Sequence, residues 1–414
     1  MNNTVETAEF SVGRFPRSMR TLRIAVVTET YPPEVNGVAL SAARFVEGLR
    51  KRGHDILLVR PRQHTGDQDA EHDGLREVLT RGVPIPRYPG LRMGLPSTSM
   101  LVSLWQRWSP DVVHVLTEGP LGWSALRAAR KLQLPVVSDF RTNFHAYSSH
   151  YGVGWLAKPI LAYLRKFHNR TLCTLVPTES LRKELAQRDF LNLRVVARGV
   201  DTMLFDPSRR STELRAAWGA GPDDPVLLHV GRIAAEKNMD ALLAAYAAAR
   251  SQAPNTRLVM VGDGPAREEV RSRCPDVVFA GMRRGEDLAA HYASADIFLF
   301  PSLTETYGNV TLEALASGLA VVAFGYAAAA ENIRHDQNGW LATKGDTPAF
   351  AALAVAAVNE LDRARLVGDQ ARDSALHLGW DPVVRQLETL LEVAACVSST
   401  SGESGTGQGI LPTN

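Results

Sequence analysis

Residues 22–61 read LRIAVVTETYPPEVNGVALSAARFVEGLRKRGHDILLVRP, and the alternation within this stretch decides the fold. The apolar run at 22–28 has the length of a buried strand, and a turn-rich loop follows it. Residues 38–52 have the apolar spacing of a helix. A second apolar run at 55–61 predicts another strand. Strand, loop, helix and strand in this order indicate a βαβ unit of a parallel sheet.

The same alternation returns along both halves of the chain. Its apolar runs are continuous, which is typical of parallel strands covered by helices on both faces. The further predicted strands are 111–116, 135–139, 173–177, 193–197, 225–231, 256–262, 277–281, 295–301 and 319–325. The further predicted helices are 120–132, 154–168, 178–188, 237–252, 265–273, 286–293, 309–317, 346–360, 362–378 and 382–395. The pattern predicts an α/β fold of two tandem, Rossmann-like, doubly wound domains, with a cleft at the carboxyl ends of their strands.

A stretch rich in Gly, Pro and charge at 198–225 separates the two series of strands. A length of 414 residues also favours two domains. We therefore expect a disordered extension over 1–20, one domain over 21–200 and a second over 201–380. A C-terminal helix over 381–397 could cross back to the first domain, and a Ser/Gly-rich tail over 398–414 is expected to be disordered.

Composition excludes several classes of protein. The hydrophobic fraction is 45% and the charged fraction 22%, which suits a globular core and not a disordered or fibrous chain. No apolar run reaches the ~18 residues of a membrane span, and residues 1–23 lack the apolar segment of a signal peptide, so we expect a cytoplasmic protein. Cys173, Cys274 and Cys396 are too widely spaced for a disulfide framework or a Cys-rich zinc site.

The net charge of +2 conceals an asymmetry. Residues 1–200 contain 28 Lys and Arg against 17 Asp and Glu, whereas residues 201–414 contain 18 against 27. A basic half can meet phosphates, anionic lipid or nucleic acid, although mutual attraction of two domains would explain the same distribution. Nucleic acid is the weakest of these, because no nucleic-acid module and no interleaving of aromatic with basic residues is present.

The loop after the strand at 295–301 predicts a phosphate site. Gly308 and Asn309 stand where a helix should begin, and the free N–H groups and dipole of that end attract anions. Glu305 and Glu313 flank this point. A carboxylate beside a phosphate site is unfavourable unless it accepts hydrogen bonds, and sugar and ribose hydroxyls are donors that would justify it. The alternative is a capping loop with two solvated glutamates.

Two cations follow the strand at 225–231. Arg232 and Lys237 in GRIAAEKN (231–238) would neutralise a diphosphate at the same sheet edge without a metal ion. Both could equally be surface residues. Gly37 in the loop after the first strand would let backbone amides approach a ligand. An NAD site is disfavoured, because GDGP (262–265) contains only the first two glycines of the dinucleotide motif.

Five motifs resemble those of retaining glycosyltransferases of family 4, which have the GT-B fold. These motifs are TYPPEVNGV (30–38), RGVD (198–201), VGR with Lys237, GDGP (262–265) and TETYGNVTLEALASG (304–318), and the resemblance covers about residues 22–390. The last motif contains the glutamate pair of the family, Glu305 and Glu313.

The resemblance implies a nucleotide-sugar donor held mainly by the second domain, with the first domain binding the acceptor. Glu313 would bind ribose hydroxyls and Glu305 the transferred hexose. The residues implied to bind the donor are Gly37, Arg232, Lys237, Gly281, Met282, Glu305, Gly308, Asn309, Val310 and Glu313. Gly281 and Met282 would touch the base, and the implied catalytic residues are Arg232, Lys237 and Glu305. No cofactor and no metal are expected.

The acceptor side is expected along 117–123 and 138–152, which follow two strands of the first domain, and Asp139, Arg141 and His145 are the candidates. Arg141 stands where many relatives have His, so it could contact the donor phosphate or an anionic acceptor instead. No carboxylate of the first domain stands out as a nucleophile for double displacement. The family is generally argued to use front-face attack, with the departing diphosphate taking the acceptor proton.

Residues 155–170 predict a basic amphipathic helix that could lie on an anionic membrane. The alternative is a crossover helix packed in the core. Relatives that glycosylate lipids, such as lipid mannosyltransferases and sulfoquinovosyl- or glucosyl-diacylglycerol synthases, favour a peripheral position on the inner face. An acidic stretch at 66–74, with Asp67, Asp69 and His72, could suggest a metal-dependent GT-A enzyme, but a surface loop is the simpler interpretation.

The sequence therefore predicts a metal-independent, retaining hexosyltransferase. It would move mannose or glucose from a GDP- or UDP-hexose to a hydroxyl acceptor, a glycolipid or a glycan. The alternatives are another GT-B enzyme, such as a nucleotide-sugar epimerase or a phosphorylase, and a non-enzymatic two-domain sugar-binding protein.

Overall fold

The computed structural model describes residues 21–34, 36–85, 92–141, 157–305 and 307–400, and its strands form two main sheets. The first ten strands are β1 Arg23–Val27, β2 Asp55–Pro61, β3 Ala70–His72, β4 Leu75–Thr80, β5 Gly82–Pro84, β6 Arg92–Gly94, β7 Val112–Val115, β8 Val136–Asp139, β9 Cys173–Val176 and β10 Leu193–Val195. Eight of them form one sheet in the order β10-β9-β8-β7-β1-β2-β4-β3, while β5 and β6 pair separately. Only β3 runs antiparallel within the eight-stranded sheet.

The second half of the chain builds a six-stranded parallel sheet in the order β13-β12-β11-β14-β15-β16. Its strands are β11 Val226–Val230, β12 Arg257–Val261, β13 Val278–Gly281, β14 Ile297–Phe300, β15 Ala320–Phe324 and β16 Trp340–Ala342. In each sheet the strand order reverses beside the first strand of its half. Such a reversal opens a crevice at the carboxyl ends of the strands.

Helices cover both faces of the sheets. Those of the first half are α1 Gly37–Lys51, α2 Thr98–Trp108, α3 Pro120–Leu132, α4 Ala157–His168 and α5 Glu179–Ala186. Those of the second half are α6 Thr212–Ala217, α7 Met239–Gln252, α8 Arg267–Arg273, α9 Gly285–Ala293, α10 Asn309–Ala316, α11 Ala327–Asn332, α12 Thr347–Asn359, α13 Leu361–Ala375 and α14 Trp380–Thr400. Successive residues of a strand face opposite sides, so Leu227 and Leu228 belong to hydrophobic clusters on opposite faces of one sheet.

The last helix, α14, packs against the first sheet. Val384, Leu387 and Leu391 are buried in one cluster with Ile24 and Phe45. Nearby, Arg52 and His54 both contact the Glu388 carboxylate, at 2.7 and 2.9 Å. The C-terminal end of the chain is therefore part of the packing of the N-terminal half.

Two short segments carry the chain between the two halves, and they lie side by side. The Val200 amide donates to the Leu378 carbonyl at 2.9 Å. Arg44 and Asp201 form an ion pair at 2.8 Å close to the same crossing. This double crossing fixes the cleft between the carboxyl edges of the two sheets.

The main helices and strands were predicted to within a few residues at each end, but several shorter elements were missed. The missed elements are β3, β4, β5, β6, β16, α2, α6 and α11. The predicted start of the helix at Lys237 was wrong. Lys237 ends a 3-10 turn over Ala235–Lys237, and α7 begins only at Met239.

The acidic stretch at 66–74 is not simply a surface loop. Residues 70–72 form the edge strand β3, and Asp67 is only 8% exposed. Arg60 donates to both Asp67 oxygens, at 2.6 and 2.9 Å. Burial with this partner explains the position of Asp67, whose pKa falls to about 2 because Arg60 donates hydrogen bonds to the carboxylate.

The helix predicted as a membrane-binding surface lies at α4, and much of its apolar side is occupied by the core. Leu164 and Phe167 are buried, and Ile160 and Leu161 pack against a buried cluster. Leu164 and Phe167 are therefore not available to lipid, and Ile160 and Leu161 are only partly exposed, so membrane contact through α4 would rest mainly on its basic side chains. No helix in the described ranges has the length and apolarity needed to cross a membrane.

Candidate active site

A cleft of about 1280 Å³ runs between the carboxyl edges of the two sheets. We call its two sides the C-terminal wall (Arg232, Lys237, Glu305, Asn309, Glu313) and the N-terminal wall (Glu29, Glu34, Gly37, Glu118, Arg141, Arg198). Each of these residues lies in the loop after a strand or in the first two turns of the helix that follows it. The parallel topology therefore gathers residues that are distant in sequence.

The C-terminal wall contains an ion pair between Lys237 and Glu305. The Ser302 hydroxyl also donates to Glu305 at 2.8 Å, and the Tyr326 hydroxyl contacts the Glu305 backbone. Arg232 lies beside this pair with its side chain 54% exposed, and contacts Glu236 at 3.2 Å. The structure thus brings the three residues predicted as catalytic to one wall, with Arg232 still open to solvent.

The start of α10 lies at the same wall. Gly308 has a φ of +91°, a conformation that suits glycine, and a Cβ there would come within 3.3 Å of the Phe300 ring. Within the described part of the chain, no side chain caps the first turn of the helix. The amides of Asn309 and Val310 therefore face the cleft with the positive end of the helix dipole.

Glu313 lies one turn along α10 and is enclosed by protein on most sides. The Tyr292 hydroxyl donates to it at 2.9 Å. Desolvation raises the pKa of Glu313 to about 7 in spite of this hydrogen bond. A buried carboxylate with one donor has room for further hydroxyl donors.

The residues predicted to touch a base lie at the end of β13. Met282 lines the cleft and is 58% exposed, although it is a large apolar side chain. Gly281 is not among the lining residues, and its carbonyl accepts from the Gly262 amide at 2.9 Å. Gly262 itself allows close packing, because a Cβ there would lie 2.0 Å from the Gly231 carbonyl oxygen. Gly281 therefore supports the loop rather than lining the cleft.

The acceptor-side candidates separate into two kinds. Asp139 is 1% exposed and does not line the cleft, while Arg141 does. The Arg141 Nε donates to Asp139 at 2.9 Å, and the His114 ring lies 3.4 Å from the other Asp139 oxygen. Arg141 and His114 hold the pKa of Asp139 at about 2 against the opposing effect of its burial. Asp139 thus orients Arg141 and has no open path to an acceptor. His145 lies outside the described residues.

Sequence reasoning missed four charged residues of the N-terminal wall. These are Glu29, Glu34, Glu118 and Arg198. Glu29 and Glu34 follow β1, Glu118 follows β7, and Arg198 follows β10. All four stand just beyond the carboxyl end of a predicted strand, so their position in the sequence could have identified them. The cleft was predicted to lie at these strand ends, but the charged side chains of the loops there were not considered.

Glu29 shows how such a carboxylate is held. It accepts from the Leu121 amide at 2.9 Å and from the Gly94 amide at 3.4 Å. It therefore caps the start of α3, and a Cβ on Gly119 would collide with its carboxylate. Burial raises the pKa of Glu29 to about 7.

Family models match both halves of the chain. Residues 35–204 match the model described as Glycosyltransferase Family 4, and residues 224–360 match Glycosyl transferases group 1. A GDP-mannose-dependent alpha-mannosyltransferase of Mycobacterium tuberculosis is 36% identical over 370 residues, covering 88% of this chain and 95% of the relative. The chain belongs to glycosyltransferase family 4. The predicted family is thus confirmed.

Two further relatives support the class of this glycosyltransferase. Sulfoquinovosyl transferase SQD2 of Arabidopsis thaliana is 31% identical over 86% of this chain and 71% of the relative. An alpha-monoglucosyldiacylglycerol synthase of Streptococcus pneumoniae is 29% identical over 73% of this chain and 71% of the relative. By name, the three relatives are a mannosyltransferase, a sulfoquinovosyl transferase and a monoglucosyldiacylglycerol synthase. The prediction of a hexosyltransferase is confirmed, and the epimerase, phosphorylase and sugar-binding alternatives are not favoured.

Solved structures confirm the fold of the glycosyltransferase. Sucrose-phosphate synthase from Thermosynechococcus elongatus superposes with a TM-score of 0.76, covering 91% of this chain and 100% of that chain. The sequence identity of the pair is 19%, so the likeness speaks for the fold alone. The predicted GT-B architecture of two Rossmann-like domains is correct.

Proposed function

We propose that the glycosyltransferase moves mannose or glucose, with retention of anomeric configuration, from a GDP- or UDP-hexose to a hydroxyl acceptor. The observation that carries this proposal is the C-terminal wall. There, Arg232, the Lys237–Glu305 pair and the open start of α10 share one side of the cleft. One relative is GDP-mannose-dependent by name, which supports a nucleotide-sugar donor.

Arg232 and Lys237 would bind the diphosphate and stabilise it as the leaving group. The free amides of Asn309 and Val310 add the positive end of a helix to these charges. Negative charge grows on the diphosphate as the glycosidic bond breaks, so fixed cations lower the barrier most in the transition state. This arrangement would perform the task without a divalent metal.

Glu305 and Glu313 would accept hydrogen bonds from hydroxyl groups of the donor. In the proposal, Glu305 binds the transferred hexose while Lys237 holds its carboxylate in place. Glu313 binds the ribose, and Tyr292, its one side-chain donor among the described residues, leaves acceptor capacity for a diol. Met282 covers the base, and Gly37 faces the diphosphate from the other wall.

The carboxylates of the N-terminal wall do not favour a covalent route. Glu29 is held by two backbone amides, and His168 lies 3.3 Å from Glu118. Glu34 accepts from the Thr30 hydroxyl. We propose front-face attack instead: the bond from the anomeric carbon to the diphosphate breaks toward the diphosphate, the acceptor oxygen bonds to that carbon, and the acceptor proton passes to a diphosphate oxygen.

A donor screen tests this function. The melting temperature of the full chain is measured with GDP-mannose, UDP-glucose, UDP-galactose and UDP-sulfoquinovose, and the stabilising donor is then assayed for transfer. We expect one donor at ~100 times its Kd to stabilise the protein by about 2.7 kcal/mol. Proton NMR of the product should show the anomeric configuration of the donor. Absence of a shift with all four donors, or an inverted product, would contradict the proposal.

The acceptor is proposed to be a lipid-linked hydroxyl at the cytoplasmic face of a membrane. One relative is an alpha-monoglucosyldiacylglycerol synthase by name, and the N-terminal half carries the excess of Lys and Arg. Lys158 and Lys166 on α4 are exposed and would face anionic headgroups. Flotation with phosphatidylglycerol vesicles should recover the protein in the lipid fraction at low salt, and equal recovery with neutral vesicles would argue against charge-driven binding.

A further inference from the structure

Arg198 is a buried cation of the N-terminal wall that contacts the start of α10 on the C-terminal wall. It follows β10 and is 7% exposed. Its Nη1 donates to the Asn309 side-chain oxygen at 3.3 Å, and a Cβ on Gly37 would lie 3.2 Å from the same nitrogen. Gly37 begins α1 and Asn309 begins α10. The guanidinium therefore lies where the starts of two helices from different halves of the chain meet.

The charge of Arg198 has no carboxylate partner among the described residues. Its Nε is buried without a hydrogen-bond partner. The negative charges of Asp139 and Glu305 favour the protonated form of Arg198, but these two carboxylates are already paired with Arg141 and Lys237. Burial and the neighbouring Arg141 lower the pKa of Arg198 to about 9. Leaving a buried charge unpaired costs free energy that only an anionic partner would recover.

The surroundings of Arg198 are positive from several directions. Arg141 lies on the same wall, and two helix starts add their partial positive charges. The Tyr307 ring lies 5.8 Å from the guanidinium, and the Tyr307 hydroxyl contacts the Arg198 carbonyl, so the side chain is fixed in position. A rigid cluster of positive groups facing a cleft is a site for an anion.

We propose that Arg198 binds the phosphate that is attached to the transferred sugar, from the side of the cleft opposite Arg232 and Lys237. This inference rests on the proposed function. The Arg198 guanidinium contacts the Asn309 side chain at the first position of α10, beside the loop that holds Glu305, the carboxylate proposed for the hexose, whereas Glu313, proposed for the ribose, lies one turn further along that helix. The sugar end of the diphosphate is therefore the end that Arg198 reaches. When the glycosidic bond breaks, its electron pair passes to this phosphate, and Arg198 stabilises the added charge.

The test compares nucleoside diphosphates with monophosphates. Titration calorimetry measures the Kd of GDP, GMP, UDP and UMP for the wild type, Arg198→Met, Arg198→Lys and the control Arg194→Met, whose residue does not line the cleft. We expect Arg198→Met to weaken binding of the preferred diphosphate by about 10- to 100-fold, since hydrogen bonds to a charged group are strong. Monophosphate binding should change by less than about 2-fold, and Arg198→Lys should recover part of the diphosphate affinity.

A second measurement distinguishes this role from a structural one. Because Arg198→Met removes an unpaired buried cation, the empty variant should melt at a higher temperature than the empty wild type. Unchanged diphosphate affinity, or equal losses for diphosphate and monophosphate, would overturn the inference. Unchanged diphosphate affinity with a raised acceptor KM would assign Arg198 to an anionic acceptor instead. If the wild type binds neither diphosphate, the proposed donor class fails, and the inference fails with it.

Discussion

The C-terminal wall and the N-terminal wall of the cleft both carry cations, but these cations have different partners. On the C-terminal wall, Lys237 and Glu305 neutralise each other, and their side chains are 19% and 14% exposed. On the N-terminal wall, Arg198 is 7% exposed and has no carboxylate of its own among the described residues. Lys237 is thus neutralised when the cleft is empty, while Arg198 needs an anionic ligand to neutralise it.

This difference explains how one cleft can hold a mobile substrate. A cation that already has a carboxylate partner gains less from a phosphate, so it can bind and release a ligand readily. An unpaired buried cation gains more from the same phosphate, because the ligand removes a penalty that folding has left. The two walls would therefore contribute differently to binding and to release.

The largest effect is expected from Lys237→Met. If the cations of the C-terminal wall stabilise the leaving group, turnover should fall by about 100- to 1000-fold, as for other preorganised groups that face developing charge. Steady-state kcat is the measurement, with circular dichroism to check the fold. Lys51→Met is the matched control, since Lys51 is 69% exposed on α1 and away from the cleft. Near-normal kcat in a folded Lys237→Met/Arg232→Met double variant would contradict the assignment.

The second largest effect is expected from loss of the Asp139 carboxylate, which holds Arg141 of the N-terminal wall in place. Asp139→Asn removes the charge that pairs with Arg141 and should lower the free energy of unfolding by about 3–5 kcal/mol, because a buried cation is left unpaired. Urea unfolding measures this change. The control Asp189→Asn alters an exposed pair with Arg165 and should have little effect.

Acid titration gives an independent reading of the same residue. The pKa of Asp139 is lowered in the fold, so its contribution is present above the ordinary aspartate pKa and is lost as the pH falls toward about 2. Asp139→Asn should therefore reduce the loss of stability between pH 4 and pH 2. A double variant with Arg141→Met should recover part of the stability. If the double variant is as unstable as the sum of the two single variants, the pair is not coupled.

Much of the fold could be predicted because its strands are buried on both faces. Runs such as 226–230 are apolar throughout, and this continuity distinguishes parallel strands without knowledge of their neighbours. The missed strands are mostly short, and neither β3, which is AEH, nor β5, which is GVP, is apolar throughout. Their pairing depends on neighbouring strands more than on their own composition, so the local pattern could not reveal them.

The same contrast applies to the cleft. Arg232, Lys237, Glu305 and Glu313 were predicted because each stands in a short motif at a strand end, where a local rule applies. Arg198 could be placed only when α1 and α10 were brought together, since Gly37 and Asn309 are far from it in sequence. The role of Asp139 also required the structure, because its partner His114 lies on a neighbouring strand.

A smaller effect is expected from Glu313→Gln, and it depends on pH. The pKa of Glu313 is raised to about 7, so the wild type should bind the nucleoside diphosphate more tightly as the pH rises from 6 to 8 and the carboxylate ionises. Glu313→Gln should weaken binding by about 10-fold at pH 8 and flatten this dependence, because an amide accepts hydrogen bonds less strongly than a carboxylate. Calorimetry at three pH values measures both effects.

The stability of the empty protein should change in the opposite direction. A carboxyl with a raised pKa loses stabilisation as the pH increases from its unfolded value, near 4.5, to about 7. Glu313→Gln should remove its share of that decrease, while the part due to Glu29 remains. Glu269→Gln, at a residue 66% exposed, is the control for both measurements. A pH dependence of binding that survives in Glu313→Gln would assign the titration to another group.

The smallest effect is expected from removal of divalent metal. Arg232, Lys237 and Arg198 would meet the diphosphate from both walls, so the positive charge that a metal ion would bring is already supplied by side chains. Transfer activity in excess EDTA should therefore stay within about 2-fold of the untreated rate, since fixed cations can stabilise the leaving group themselves. The assay uses the donor found in the thermal screen, with magnesium or manganese added back to a parallel sample. Activity that disappears with EDTA and returns with either metal would show that the two walls do not carry enough charge, and the comparison between them would then have to include an ion.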